Sequence, residues 1–340
     1  MKIFYGVCGE GMGHAGRSIA MIERLTALGH RVTIFTYAEA YRLLVDAGYE
    51  PQRIQGLHFH QKTDGAVDVW RTAGGFCQFL RRRRESVDFI RQMALEQQPD
   101  LFLTDFEPLT ALAAASLRKE CVSIDNQHRF CHPLGSDFPR HLQVYGRLAG
   151  AFVHRWIKRP RQCIVAVFHR CPASRHYRHV DALLRGRISR IEPTPGDHVL
   201  LYARAGLGRR MAEVAAGVSA CFVAYGCEGP PAANIEYKRT SDEHFARDLA
   251  SCRAVICSGG QQLIGEARYF GKPLLIVPIP KQHEQEINAH YASREGIGSY
   301  CPVAELNGRR VDEFLRGQYG RRRGVNGVDQ VFDLLGINNG

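Results

Sequence analysis

A histidine that closes a run of alternating glycines is the first residue of this chain suited to proton chemistry near neutral pH. Gly6-Val7-Cys8-Gly9-Glu10-Gly11-Met12-Gly13-His14 puts an imidazole at a strand tip and helix start, where it could take the proton of a bound hydroxyl. Glycines there let a ligand approach the backbone, and Gly13 is a candidate for that contact. Their spacing departs from Gly-x-Gly-x-x-Gly, so a nicotinamide dinucleotide is not the expected ligand. His14 also reads as a polar capping or packing residue. Glu10 in the same turn and Asp105 in Thr104-Asp105-Phe106-Glu107-Pro108 are carboxylates that could replace or assist it. Asp105 could equally cap the helix begun by Pro108. In Asp125-Asn126-Gln127-His128, the residues Asp125, Asn126 and His128 suit carbohydrate hydroxyls of an acceptor, or any polar loop.

The stretch from Cys252 to Asn288 carries a different chemistry. It reads strand, glycine turn, helix, strand, proline-rich turn, helix. Ser258, Gly259, Gly260 and Gln261 stand where the first helix opens, and His283, Glu284 and Gln285 where the second does. Ligands of open α/β sheets sit at the carboxyl ends of strands, where helix N-termini offer unpaired N–H groups to anions.

Elements that could position these residues alternate along the whole chain. Strands are expected at Lys2 to Val7, Arg31 to Thr36, Pro51 to Gly56, Asp100 to Thr104, Cys121 to Ile124 and Cys163 to Phe168, with helices between them. The helix after the glycine run is expected from Ala15 to Leu28, and another from Phe76 to Gln97. Leu57 to Gly75 is irregular, polar and aromatic, a candidate binding loop. Cys171 to His198, rich in proline and arginine, reads as an interdomain connection. Strands then resume at Val199 to Ala203, Ala220 to Ala224, Ile235 to Lys238, Arg253 to Cys257 and Leu274 to Val277. The expected fold is α/β, two tandem doubly wound Rossmann-like domains at 1–180 and 181–340, with a ligand cleft between them.

Composition narrows the function classes. The 340 residues are 45% hydrophobic, enough for two cores, and no run reaches the about 20 apolar residues of a membrane span. Met1-Lys2-Ile3 enters a strand directly, so a cytoplasmic protein is expected. Eleven cysteines show no Cys-x-x-Cys pair, which speaks against a disulfide or zinc framework; His128, Cys131 and His132 read as a polar loop rather than a metal site. A net charge of +11 favours anionic partners. Its dense groups, Arg81 to Arg84 and Arg155 to Arg161, suit nucleotide phosphates, an anionic membrane surface in peripheral contact or, less favoured, nucleic acid.

These residues together resemble the nucleotide-sugar glycosyltransferases of the GT-B fold, near the bacterial undecaprenyl-linked N-acetylglucosaminyltransferase and the UDP-glycosyltransferases. The resemblance runs through the His14 loop, LGHRVTIFT, PDLFLTDFEP, SIDNQH and, above all, SGGQQLIGEARYFGKPLLIVPIPKQHEQEINA. It implies an N-terminal acceptor half and a C-terminal donor half. Gly259 and Gly260 would lie against the donor diphosphate with Ser258 and Gln261, Glu266 would take the ribose hydroxyls, and Glu284 and Gln285 would meet the sugar, with His283 beside them in the donor site. Gly206, after the first C-terminal strand, would approach the nucleotide. Ser258 and Gln262 depart from the histidine and asparagine of plant-type relatives, which shifts diphosphate contact towards backbone and hydroxyl groups.

The reaction so implied is an inverting displacement in which His14 is the leading base, with Asp105 orienting or assisting it and Glu10 or Asp105 as substitutes. The co-substrate is a nucleoside-diphosphate sugar, UDP-linked by resemblance, and no other cofactor is expected. The absence of an Asp-x-Asp motif speaks against a catalytic metal. The acceptor is expected to be a lipid-linked or cell-envelope glycan. Rival readings are a nucleotide-sugar 2-epimerase, a transferase acting on modified DNA bases, and a non-catalytic nucleotide-sugar binder.

Overall fold

The structure is a computed structural model that describes residues 1–56, 69–157, 160–171, 174, 176–203, 206–239, 242–320 and 323–337. Most of the candidate loop from Leu57 to Gly75 lies outside the described residues, and its last part opens a helix that starts at Val69 rather than Phe76.

The first unit alternates β1 (Lys2–Val7), α1 (Met12–Ala27), β2 (Arg31–Thr36), α2 (Ala38–Asp46), β3 (Gln52–Arg53) and α3 (Val69–Gln97). It continues with β4 (Leu101–Asp105), α4 (Pro108–Ser116), β5 (Cys121–Asp125), α5 (Arg140–Trp156), β6 (Gln162–Ala166) and β7 (Tyr177–Val180). Its seven strands form one sheet in the order β3-β2-β1-β4-β5-β6-β7. All the pairings are parallel, as consecutive βα units require. Residues of β1 alternate between the faces: Ile3, Tyr5 and Val7 pack with α1 and α2, while Phe4 pairs with Phe35 and Phe102 beneath α3 and α4.

The second unit holds α6 (Gly186–Ser189), β8 (Val199–Tyr202), α7 (Gly206–Ala216), β9 (Phe222–Tyr225), β10 (Ile235–Lys238) and α8 (Asp242–Ser251). Then come β11 (Ala254–Cys257), α9 (Gln261–Tyr269), β12 (Leu274–Ile276), α10 (His283–Arg294), β13 (Gly298–Tyr300) and α11 (Gly308–Arg316). Its six parallel strands run β10-β9-β8-β11-β12-β13. The expected pair of doubly wound sheets is thus observed.

The units divide differently from the halves 1–180 and 181–340. One comprises Met1–Arg185 with Gly327–Gly340, the other Gly186–Asn326. The expected connection at Cys171 to His198 contains β7, whose Tyr-Arg-His-Val alternation is that of a half-exposed edge strand. The chain returns to the first unit through α12 (Gly327–Leu335), whose Val328, Val331 and Phe332 join the core beneath β1. Gly327 makes that return possible: its N–H donates to Ala182 O at 3.0 Å, and a Cβ there would strike Asp181 O.

Candidate functional site

Each sheet reverses strand order once, between β1 and β4 in the first unit and between β8 and β11 in the second. The loops leaving such a pair part and leave a crevice at the strands' carboxyl ends. Apart from Glu266, which lies inside α9, the candidates from the sequence lie on loops or helix starts at these ends or at the end of a neighbouring strand.

In the first unit, α1 starts at Met12, so Gly13 and His14 lie within its first turn rather than ahead of it. Side chains three and four residues apart share a helix face, and His14, Arg17 and Ser18 all turn towards the end of β4. There Asp105, fully buried, receives all three: His14 Nδ1 at 2.8 Å and Arg17 Nη2 at 2.6 Å on Oδ1, Arg17 Nε at 2.7 Å and Ser18 Oγ at 3.0 Å on Oδ2. His14 is 8% and Arg17 5% exposed. Gln127, just past β5, completes the group, its Nε2 3.1 Å from His14 Nε2 and its Oε1 accepting from Arg17 at 3.2 Å. Arg17 and Ser18 were not singled out from the sequence, although His-x-x-Arg-Ser on one helix face is a legible signal.

The turn after β4 is strained at the residue that shields this group. Phe106 has φ +54°, a left-handed conformation costly for a bulky side chain, and its ring stacks on His14 at 6.3 Å. Thr104 ties the turn, donating to Glu107 O at 2.6 Å and accepting from Glu107 N–H at 2.9 Å. Glu107, not Asp105, caps α4, accepting from Leu109 N–H at 2.8 Å and Thr110 N–H at 2.7 Å. Gly6 lies against this cap, since a Cβ there would meet Thr110 Oγ1 and Glu107 Oε2.

The acceptor candidates divide between ligand-facing and structural positions. Gly13 has open space where a side chain would be. Asp125 and His128 are buried against each other, His128 Nδ1 standing 2.7 Å from Asp125 Oδ2, which also accepts from Ser123 at 2.6 Å. That pair shapes the loop carrying Gln127. Asn126 is 4% exposed, and its Oδ1 has no hydrogen-bond partner among the described residues. Glu10 is half-buried four residues ahead of His14.

The buried charges move several pKa values. Burial works against a charged His14, and Arg17 does too, yet negative charge at Cys8 and Asp105 outweighs them and raises the imidazole to about 9. Burial lifts Glu107 to about 7 against its hydrogen bonds from Thr110 and Leu109. Asp125 goes the other way: burial would raise it, but the charge and hydrogen bonds of His128 bring it down to about 2.

The second unit offers backbone where the first offers side chains. Gly259 has φ +96°, and a Cβ there would meet Ile276 Cγ2 at 2.8 Å and Gln285 O at 3.1 Å. Asn288 Nδ2 donates to its carbonyl at 2.8 Å, fixing the loop against α10. Gly260 is exposed, with open space at its Cβ position, and caps α9 without any side-chain hydrogen bond. Gly259 is therefore a packing glycine and Gly260 the one that faces outward, with buried Ser258 behind and half-buried Gln261 starting the helix. Glu266 is 3% exposed, and its Oε1 accepts from Gln262 at 3.0 Å. The α10 start also lacks a side-chain cap. There half-buried His283 and Glu284 precede Gln285, whose Oε1 accepts from Ile279 N–H at 2.9 Å. Gly206 opens α7 with unfilled space beside it.

With these two sheets the chain has the GT-B fold, shared with solved glycosyltransferases. The spinosyn forosaminyltransferase SpnP superposes with a TM-score of 0.68 over 99% of this chain and 100% of its own, at 15% identity. Residues 1–317 match the model of glycosyl transferase family 1, and the chain belongs to that family. It is a glycosyltransferase. An uncharacterized glycosyltransferase of Methanosarcina acetivorans is 26% identical over 95% of this chain and 90% of its own length. A UDP-N-acetylglucosamine–N-acetylmuramyl-(pentapeptide) pyrophosphoryl-undecaprenol N-acetylglucosamine transferase of Sinorhizobium fredii is 33% identical over 21% of this chain and 20% of its own.

Proposed function

We propose that this glycosyltransferase inverts configuration as it moves a sugar from a UDP-linked donor to a hydroxyl of a lipid-linked or cell-envelope glycan. The observation that carries the reading is the buried contact of His14 with Asp105 at the β1–β4 crevice. An acceptor hydroxyl gives its proton to His14 Nε2 while its oxygen bonds to the anomeric carbon. The carbon–oxygen bond to the diphosphate breaks, and its electron pair leaves with the nucleoside diphosphate. The N–H groups at the starts of α9 and α10 meet that growing negative charge, so the step calls for no metal or other cofactor. Glu266, Glu284 and Gln285 would hold ribose and sugar.

UDP and a lipid acceptor are supported by the relative from Sinorhizobium fredii, whose name states both. The lipid acceptor is also supported by the face of α5, where Val144, Leu148 and Phe152 are exposed in a row beside exposed Arg140, Arg147 and Arg155. Trp156 of α5 stacks on Phe79 of α3, next to exposed Arg81 to Arg84. Apolar side chains ringed by arginines suit peripheral contact with an anionic membrane, and the enzyme would then work at its cytoplasmic face. Among the described residues no helix is long and apolar enough to cross it.

A panel of nucleotide sugars assayed by thermal shift, then by transfer to polyprenyl-phosphate glycans, tests the reading. Stabilisation by a UDP-sugar with transfer and inverted product is the expected result. Epimerisation of the donor without any acceptor would replace it with an isomerase.

A further inference from the structure

The hydrogen bonds around His14 close into a ring whose proton positions are fixed by one residue. Arg17 carries only donors, so its contact with Gln127 makes Oε1 the acceptor and turns the carboxamide nitrogen towards His14. That nitrogen, 3.1 Å from Nε2, has only hydrogens to offer, so once the ring is neutral Nε2 accepts. A neutral imidazole then carries its single proton on Nδ1, which faces the Oδ1 of Asp105 at 2.8 Å. Arg17 Nη2 stands 2.6 Å from both Nδ1 of His14 and Oδ1 of Asp105, and with Nε2 accepting from Gln127 its hydrogen goes to the carboxylate oxygen. The orientation of an isolated glutamine amide is ambiguous; here the flipped amide would set its N–H2 against Arg17 and lose the ring.

We infer that Arg17 and Gln127 are positioning residues that hold the His14 proton on Nδ1 and keep the Nε2 lone pair presented to the acceptor hydroxyl, with the Gln127 amide occupying that hydroxyl's place until it binds. This inference rests on His14 as the base. An arriving O–H replaces the Gln127 N–H on Nε2, the proton crosses to Nε2, and Nδ1–H stays on Asp105 throughout. Gln127 is half-buried and able to give way, whereas Arg17 and Asp105 are sealed. The charged or titratable groups facing the ring are Cys8 from the β1 end, Arg17 from α1 and Asp105 from the β4 end, and Phe106 covers it.

Imidazole NMR on full-length protein labelled with [15N]histidine tests this without any substrate, the His14 signals being assigned by their loss in His14→Gln. In the wild type the neutral ring is expected as the Nδ1–H form alone. Gln127→Glu sets an acceptor against Nε2 and should keep the ring charged to a pH about one unit or more higher. Gln127→Leu and Arg17→Lys should each give a mixture of tautomers. A wild-type ring protonated on Nε2 when neutral, or identical tautomer and titration in the wild type and both Gln127 variants, would overturn the inference. The Gln127 variants decide the matter should Arg17→Lys not fold. Transfer activity of His14→Ala is a separate readout: its persistence would remove the base assignment and leave the NMR result standing.

Discussion

The two crevices lie at equivalent places in two sheets of the same strand order, yet they are made of opposite materials. At the β1–β4 end a buried carboxylate, guanidinium and imidazole saturate one another, and the neighbouring turn is held by a second buried carboxylate and a left-handed phenylalanine. At the β8–β11 end, and on to the end of β12, the surface is glycine backbone and helix starts without side-chain caps. The fold supplies only the position. The loop and helix start after each strand decide whether that position handles a proton, which needs a base set closely among charges, or an anion, which needs many N–H groups and little steric bulk.

The sharpest way to break this contrast is to remove His14. General-base contributions are about 10²–10⁴-fold, so His14→Ala should lower kcat by that order while the donor Kd, measured by calorimetry, stays unchanged. Since a base must be unprotonated and the ring is raised to about 9, wild-type kcat/KM should climb with pH through about 9. Equal losses in kcat and donor affinity would mean that the two crevices do not divide the work.

Buried charge should also make the first unit the pH-sensitive one. Glu107 has a folded pKa of about 7 against an ordinary 4.5, so the stability it contributes is complete below the lower value and is lost as pH rises through about 7. The loss is at most about 3 kcal/mol. Urea unfolding between pH 4.5 and 8 should show that decline in the wild type and a flatter profile in Glu107→Gln. A variant as pH-dependent as the wild type would reject Glu107 as the source.

The two glycines of the second crevice separate packing from ligand contact. Gly259→Ala forces a side chain onto φ +96° and into Ile276, at a cost of about 1–3 kcal/mol, and should lower Tm. Gly260→Ala meets open space and should leave Tm in place while weakening the donor. If both variants lost only stability, the helix start would not be a diphosphate site.

How far the sequence reveals this difference depends on what each residue needs from its neighbours. Most strands of both sheets are legible because parallel strands buried on both faces are nearly continuous apolar runs, as Ile34, Phe35 and Leu274 to Ile276 show, whereas the short edge strand β13, Gly-Ser-Tyr, carries no such run and is not among the expected strands. Polar β7 was hidden inside an arginine-rich passage, and the return of α12 to the first core depends on contacts distant in sequence. Within the site, Gly260 and His14 could be read locally from glycine spacing and helix starts. The bidentate grip of Arg17 on Asp105 spans 88 residues, and the left-handed Phe106 has no glycine or asparagine to mark it. The choice of cap after β4 also turned on geometry, since Asp105 and Glu107 are both suitable types and only one faces Leu109 and Thr110.

Glu266 offers the finest cut between the crevices, because it is a buried carboxylate in the donor stretch, the counterpart there of Asp105. Asp105 is gripped by a guanidinium through both oxygens, whereas Oε1 of Glu266 accepts from the neutral amide of Gln262 at 3.0 Å. A ribose hydroxyl donating to the carboxylate would add a charge-assisted bond of about 1.5–3 kcal/mol. Glu266→Gln keeps the shape and removes the charge, so donor Kd should rise about tenfold, with kcat at saturating donor nearly unchanged, because the lost contact is equal in ground and transition states. Should kcat fall instead while Kd held, the carboxylate would be acting on the reacting centre, and the division between a proton-handling unit and an anion-holding unit would have to be redrawn around it.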